Sequence, residues 1–139
     1  MTKKIFGSLV TVTIPSIGIP PVVAKVDTGA WSGVLHCTDI RVIDNMLHFT
    51  PLGDEQFKAS TNLYEYRLVR SASGHAEQRY LIPVTLAIEG KKYDTTLGLS
   101  DRGEMQREML LGRKFLIENN ILIDVGLTLD EDTEAEKYL

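Results

Sequence analysis

KVDTGAWSG, residues 25–33, decides how this chain is read. The apolar run VVAKV (22–26) has the length and β-branched content of a strand, and it delivers Asp27 to the start of a turn. Gly29 lets the backbone bend and approach a neighbour closely. Thr28 can brace the loop through local hydrogen bonds. Two readings follow: Asp27 is an ordinary strand-to-turn aspartate, or it is a carboxylate presented for chemistry. An isolated aspartate carboxyl titrates near pH ~3.9 and is ionised at neutral pH, which makes it a poor general acid. Two carboxyls about 3 Å apart cannot both ionise and so share a proton. One then activates a water while the other protonates an amide carbonyl. Asp-Thr-Gly occurs by chance in roughly a few per cent of chains of this length, so the tripeptide alone leaves both readings open.

Outward from this stretch, strands dominate. LVTVTI (9–14) alternates and ends at PSIGIPP, a Pro/Gly turn region. YEYRLVR (64–70) and AEQRYLIPVTLAI (76–88) flank SASG (71–74), which reads as a hairpin tip with Gly74 as its permissive residue. EGKK (89–92) is the next turn, and YDTTLGLS (93–100) the next strand. MLLG (109–112) is a short buried strand stopped by Gly112, and RKFLIEN (113–119) suits a helix of about two turns. NILIDVGLTL (120–129) is strand-like, and DEDTEAEKYL (130–139) is an acidic tail. The sum is about six or seven short strands and one helix: a single mostly-β domain over residues 1–129 followed by the tail at 130–139.

The totals restrict function. At 139 residues the chain forms one core and not two lobes. A net charge of −4 argues against a generic nucleic-acid or anionic-membrane binder. Cys37 is the single cysteine, so no internal disulfide forms. The start, MTKKIFGSLVTVTIP, has Lys3 and Lys4 before an apolar run. Thr11, Thr13 and Pro15 interrupt that run, which therefore reads as a strand and not as a signal peptide. No stretch reaches about 18 apolar residues, so a cytoplasmic protein without membrane spans is expected.

A second stretch, MLLGRKFLIENNILID (109–124), breaks the tie over Asp27. Asp-Thr-Gly followed later by two apolar residues, Gly-Arg and a short helix resembles the retropepsins, homodimeric single-domain aspartic proteases. More closely, the chain resembles a bacterial and archaeal branch of retropepsin-like proteins associated with RimK-type glutamate ligases and described as ATP-dependent zinc proteases. The matching pieces are PSIG (15–18), AKVDTGAWSGVLH (24–36), EQR (77–79), DRGEM (101–105) and LLGR (110–113), in order. The resemblance implies an all-β retropepsin-like small closed β-barrel with one short helix. It implies that Asp27 is the catalytic carboxylate, with Thr28 and Gly29 shaping its loop, and that the 64–80 hairpin, tipped by Ser71–Gly74, is a flap over substrate. One Asp-Thr-Gly per chain then demands a homodimer to complete the site. It further implies trimming of glutamate tails on a ribosomal protein and a RimK-type ligase as a possible partner. The rival class is a non-catalytic binding module of the same fold that holds an acidic or glutamylated tail or the ligase.

In many retropepsins the position two after the glycine is acidic and pairs with the arginine of the Gly-Arg motif; here it is Trp31. Asp101 or Glu104 then has to serve as the partner of Arg113, or Arg113 points toward substrate. Lys25, Arg79, Arg102 and Arg113 recur in the matched motifs of an acidic chain, and arginine forks suit carboxylates. With Ala30, Trp31, Ser71 and Gly74 they form the expected substrate-binding set. The plainer alternative is local ion pairing for the arginines and a solvated Lys25. Trp31 either walls a substrate or packs as core beneath the loop; the latter is the commoner fate. His36 reads as a structural histidine, Cys37 as a buried filler, and Met105 and Met109 as core. There is no H-E-x-x-H, no ligand spacing among His36, Cys37, His48 and His75, and no G-x-x-x-x-G-K-[ST]; no metal or cofactor is expected.

Overall fold

The computed structural model describes residues 3–70, 74–101, 103 and 107–127, without the Arg70 side chain. Ser71, Arg102, Glu104, Met105 and the acidic tail lie outside the described residues. Eleven strands and one α-helix are present among the described residues. They are β1 Lys4–Phe6, β2 Leu9–Val12, β3 Val22–Val26, β4 Val34–Ile43, β5 Met46–Pro51, β6 Ala59–Thr61, β7 Glu65–Arg70, β8 Ala76–Ile88, β9 Lys91–Ser100, β10 Met109–Leu111, α1 Arg113–Glu118 and β11 Ile121–Ile123.

Nine strands form one sheet, in the order β2-β3-β10-β4-β9-β8-β7, with β5 and then β6 added beside β4. β1 and β11 form a separate parallel pair, Lys4 opposite Ile121 and Phe6 opposite Ile123. In β3 the buried residues are Val22, Ala24 and Val26, and Lys25 points out, the alternation expected of a half-buried strand. β10 lies between β3, to which it is parallel, and β4, to which it is antiparallel. With a strand on either side, Met109 and Leu111 are fully enclosed. The core joins Val10, Leu35, Leu86, Leu97, Met109 and Phe115 with their neighbours into one cluster.

The β4–β5 and β8–β9 hairpins turn on consecutive positive φ values: Asp44 and Asn45 at 51° and 63°, and Glu89 and Gly90 at 51° and 79°. This is the two-residue hairpin turn whose twist matches the flanking strands. The second turn is therefore only Glu89-Gly90. Lys91 and Lys92, expected in the turn, instead begin β9, paired with Ile88 and Ala87.

The expected closed barrel is corrected: the sheet does not close through a ladder. β2 returns to β8 at one bridge, Thr13 opposite Ala87, with N–H···O bonds of 3.0 and 2.8 Å. Beyond Thr13 comes Pro15, which has no N–H to donate, and the chain turns away through Gly18 at φ 76°. On the other side, β8 ends one residue after Ala87 at the Glu89-Gly90 turn. Neither strand can extend the pairing.

Candidate active site

β3 ends at Val26, and Asp27 begins a loop docked on the end of β10 and the start of α1. The Asp27 N–H donates to the Leu111 carbonyl at 2.9 Å, so the loop starts as a continuation of the β3–β10 pairing. Ala30 N–H donates back to Asp27 O at 3.3 Å. Gly29 N–H donates to Asp27 Oδ1 at 3.0 Å, a tight side-chain turn of the kind short acidic residues make. Among the described residues the half-buried carboxylate accepts from Gly29 only.

The far side of the loop is fixed by α1. Arg113 N–H donates to Ala30 O at 2.7 Å, and Lys114 N–H to Trp31 O at 3.0 Å. These are first-turn N–H groups that have no partner within the helix. The crossing is close enough to need glycine at 112: a Cβ there would lie 2.5 Å from Trp31 O and 2.6 Å from the Ser32 carbonyl carbon. The Arg113 Nη1 donates to Thr28 O at 3.0 Å, and its guanidinium carbon lies 5.4 Å from the Trp31 ring centroid.

Beside the loop opens a cleft of about 600 Å³ walled by Trp31, Ser32, Lys114 and Phe115 on one side and by Arg67 and Leu68 of β7 on the other. Asp27 itself is not part of its lining. The cleft places β7, the first strand of the expected flap hairpin, opposite the loop.

The structure distributes the expected residues unequally. Thr28, Gly29, Ala30, Trp31 and Arg113 gather around Asp27. Lys25 is exposed on β3, one position before Val26. Gly74, at φ 85°, adopts the left-handed conformation expected of a hairpin tip residue. Arg79 lies on β8, paired with Glu77 at 3.1 Å, its Cδ resting over Gly98, where a Cβ would come within 2.6 Å. Its Nε is buried without a hydrogen-bond partner among the described residues. Ser71 and Arg102 fall outside the description.

Trp31 is not core: it is 47% exposed at the mouth of the cleft, because its backbone is pinned to α1 and its ring faces the Arg113 guanidinium. Arg113 makes no ion pair among the described residues. Asp101, one of its two expected partners, instead caps Gly103 N–H and lies 3.8 Å from His36 Nδ1. His36 is buried, as a structural histidine would be. Cys37 is fully enclosed; burial pushes its thiol up to about 12, against the weaker opposing effect of a backbone hydrogen bond to Leu52. Lys114 and Arg67, both in the cleft wall, are not singled out by sequence. The N–H of Lys114 follows from its place just after Gly-Arg, a signal that is available; nothing local marks Arg67. Among the described residues no three His, Cys, Asp or Glu side chains converge, so they do not fit a zinc ion.

The sequence matches the family model for the retropepsin-like aspartic endopeptidase RimB over residues 5–133. The chain belongs to the RimB-like family. Its curated relatives include a probable alpha-L-glutamate ligase of Desulfotalea psychrophila, 29% identical over 136 residues, which cover 91% of this chain and 29% of that protein. Another, from Parasynechococcus marenigrum and of the same name, is 32% identical over 136 residues, covering 89% and 28%. The chain thus spans less than a third of these relatives. A crystal structure of Lpg0085 from Legionella pneumophila, a protein described as of unknown function, superposes with a TM-score of 0.72 at 25% identity, covering 93% of this chain and 98% of that one. No helix among the described residues is long and apolar enough to cross a membrane.

Proposed function

We propose that this chain is an aspartic peptidase that works as a homodimer, each copy contributing one Asp27 to a shared dyad. The carrying observation is the loop itself. Asp27 sits half-buried on a turn clamped from behind by β10 and α1, with one carboxylate oxygen held by Gly29 N–H. A lone carboxylate serves as base or as acid, not both, and each chain offers one at this loop. Paired across a two-fold axis, two such carboxylates share a proton; one draws a proton from water while the other protonates the amide carbonyl oxygen. The tetrahedral intermediate then collapses as the amine leaves with a proton.

The substrate we propose is a glutamate tail on a protein, ribosomal as the resemblance implies, cut in the cytoplasm. Relatives named as glutamate ligases carry a region like this chain within a longer protein, which favours a setting in which glutamate-linked amides are made. Lys25, Arg79, Arg102 and Lys114 are the cations we assign to such a tail, Arg113 being engaged at the Thr28 carbonyl, with Ala30, Trp31, Ser71 and Gly74 completing the proposed binding surface. The same relatives favour a second reading, a non-catalytic module that holds the tail or a RimK-type ligase.

Subunit mixing tests the shared dyad. When Asp27→Asn protein is mixed into wild type at equal amounts, random pairing leaves about half of the wild-type chains in fully wild-type dimers, and activity drops accordingly. Activity that is indifferent to added mutant refutes a shared site.

A further inference from the structure

The Thr28 carbonyl and the Gly29 N–H belong to one peptide unit, and that unit is gripped at both ends. On one side Arg113 Nη1 donates to Thr28 O at 3.0 Å. On the other, Gly29 N–H donates to Asp27 Oδ1 at 3.0 Å. A peptide is planar, so fixing its carbonyl fixes the direction of its N–H. A cation on the carbonyl also polarises the unit and strengthens the N–H as a donor. We propose that Arg113 is a positioning residue that orients the Asp27 carboxylate through the 28–29 peptide, and that Trp31 holds Arg113 in place.

Three observations converge on this role. Arg113 meets the loop twice, its backbone N–H at Ala30 O and its side chain at Thr28 O. Its guanidinium stands over the exposed face of Trp31, 5.4 Å from the ring centroid, within the range of a cation–π contact. It makes no ion pair among the described residues, so the planar fork is free to keep this geometry. A carboxylate at position 31 would anchor the same guanidinium, but it would carry a charge of its own and lose its grip on protonation. The indole does neither. Lysine cannot substitute fully, because its point charge lacks the fork and stacks less well on an aromatic face.

The effect on rate rests on the aspartic-peptidase reading; the geometry does not, so the two are tested separately. Trp31 is the chain's single tryptophan, and its emission reports on Arg113 directly. In Arg113→Ala and Arg113→Lys, Trp31 emission changes and the Gly29 amide exchanges faster, with the larger effect in Arg113→Ala. Trp31→Phe keeps the ring and the protection of Gly29, whereas Trp31→Ala weakens it. Because both side chains are exposed, these changes leave the core intact. In peptidase assays Arg113→Ala lowers kcat by on the order of 100-fold with KM nearly unchanged, the mark of a misplaced reacting group. Unchanged emission and Gly29 exchange in Arg113→Ala overturn the proposal, as does a raised KM with kcat intact, which makes Arg113 a substrate contact. If the wild type cleaves nothing while the exchange effects hold, the peptidase reading fails and the positioning of Asp27 stands.

Discussion

Replacing Gly112 with alanine tests whether the loop really rests on α1 as closely as described. A Cβ at 112 would lie 2.5 Å from Trp31 O, 2.6 Å from Ser32 C and 2.8 Å from Ser32 O. Ordinary contact begins at 3.4 Å, so the loop must retreat by 3.4 − 2.5, about 0.9 Å. All three atoms are backbone, so no side-chain rotation relieves the clash. The shift has to break or stretch the Arg113 N–H to Ala30 O and Lys114 N–H to Trp31 O bonds at 2.7 and 3.0 Å. Overpacking of this kind destabilises by about 1–3 kcal/mol, and one or two lost backbone hydrogen bonds add about 1 kcal/mol each. The expected total is about 2–5 kcal/mol, read from urea unfolding followed by Trp31 emission. Gly18→Ala is the control: its φ is 76° but its surroundings are open, so it suffers only the strain of a left-handed alanine, about 1 kcal/mol. Equal stabilities for the two variants, with native Trp31 emission in Gly112→Ala, would refute the close crossing.

Other outcomes follow from the core. The Cys37 thiol, raised from 9.0 to about 12 by burial, stays neutral in the folded chain at pH values where the unfolded chain ionises it. Above pH 9 the unfolded state therefore holds fewer protons, and stability falls by about 1.4 kcal/mol per pH unit until about pH 12. Comparing wild type with Cys37→Ala isolates this slope, and equal slopes contradict it. The same thiol should resist alkylation until the chain unfolds. Phe115 packs edge-on against Tyr93 at 5.4 Å and ties α1 to the sheet, so Phe115→Ala should destabilise by about 3–5 kcal/mol in the same unfolding assay. Ile117, on the exposed side of that helix, should tolerate alanine within about 0.5 kcal/mol.

Much of this architecture is legible in the sequence where one physical rule governs a stretch. VVAKV and AEQRYLIPVTLAI carry their strand boundaries in apolar content and flanking turn residues, and both match residue for residue. The β4–β6 segment is not legible, for a different reason. Val34, Leu35, His36 and Cys37 are all buried, which removes the alternation a half-exposed strand shows, and the outer half of β4 is largely solvated. The Asp44-Asn45 turn is the available cue, since these residues tolerate positive φ. β1 and β11 are three residues each and depend on their pairing, a contact between the two ends of the described chain that no local pattern encodes.

The site divides in the same way. The Asp27 loop and the Gly-Arg that backs it are local motifs and can be joined by their resemblance to a known pattern. Barrel closure cannot, because it turns on whether Pro15 and the Glu89-Gly90 turn allow one more ladder pair. The exposure of Trp31 escapes the sequence because size alone favours burial, whereas the backbone bonds at 30 and 31 leave its ring outside. Sequence assigns Arg113 to a carboxylate or to substrate because nothing in it shows that the Thr28 carbonyl lies within reach.

The most direct test of the account is cleavage of a glutamylated peptide by wild type and by Asp27→Asn, each with and without EDTA. The carboxamide of the variant retains an oxygen to accept from Gly29 N–H, so it should fold with stability within about 1 kcal/mol of wild type. Turnover by wild type that EDTA leaves unchanged, and none by the folded variant, is the expected result. Cleavage by Asp27→Asn at the wild-type rate contradicts it.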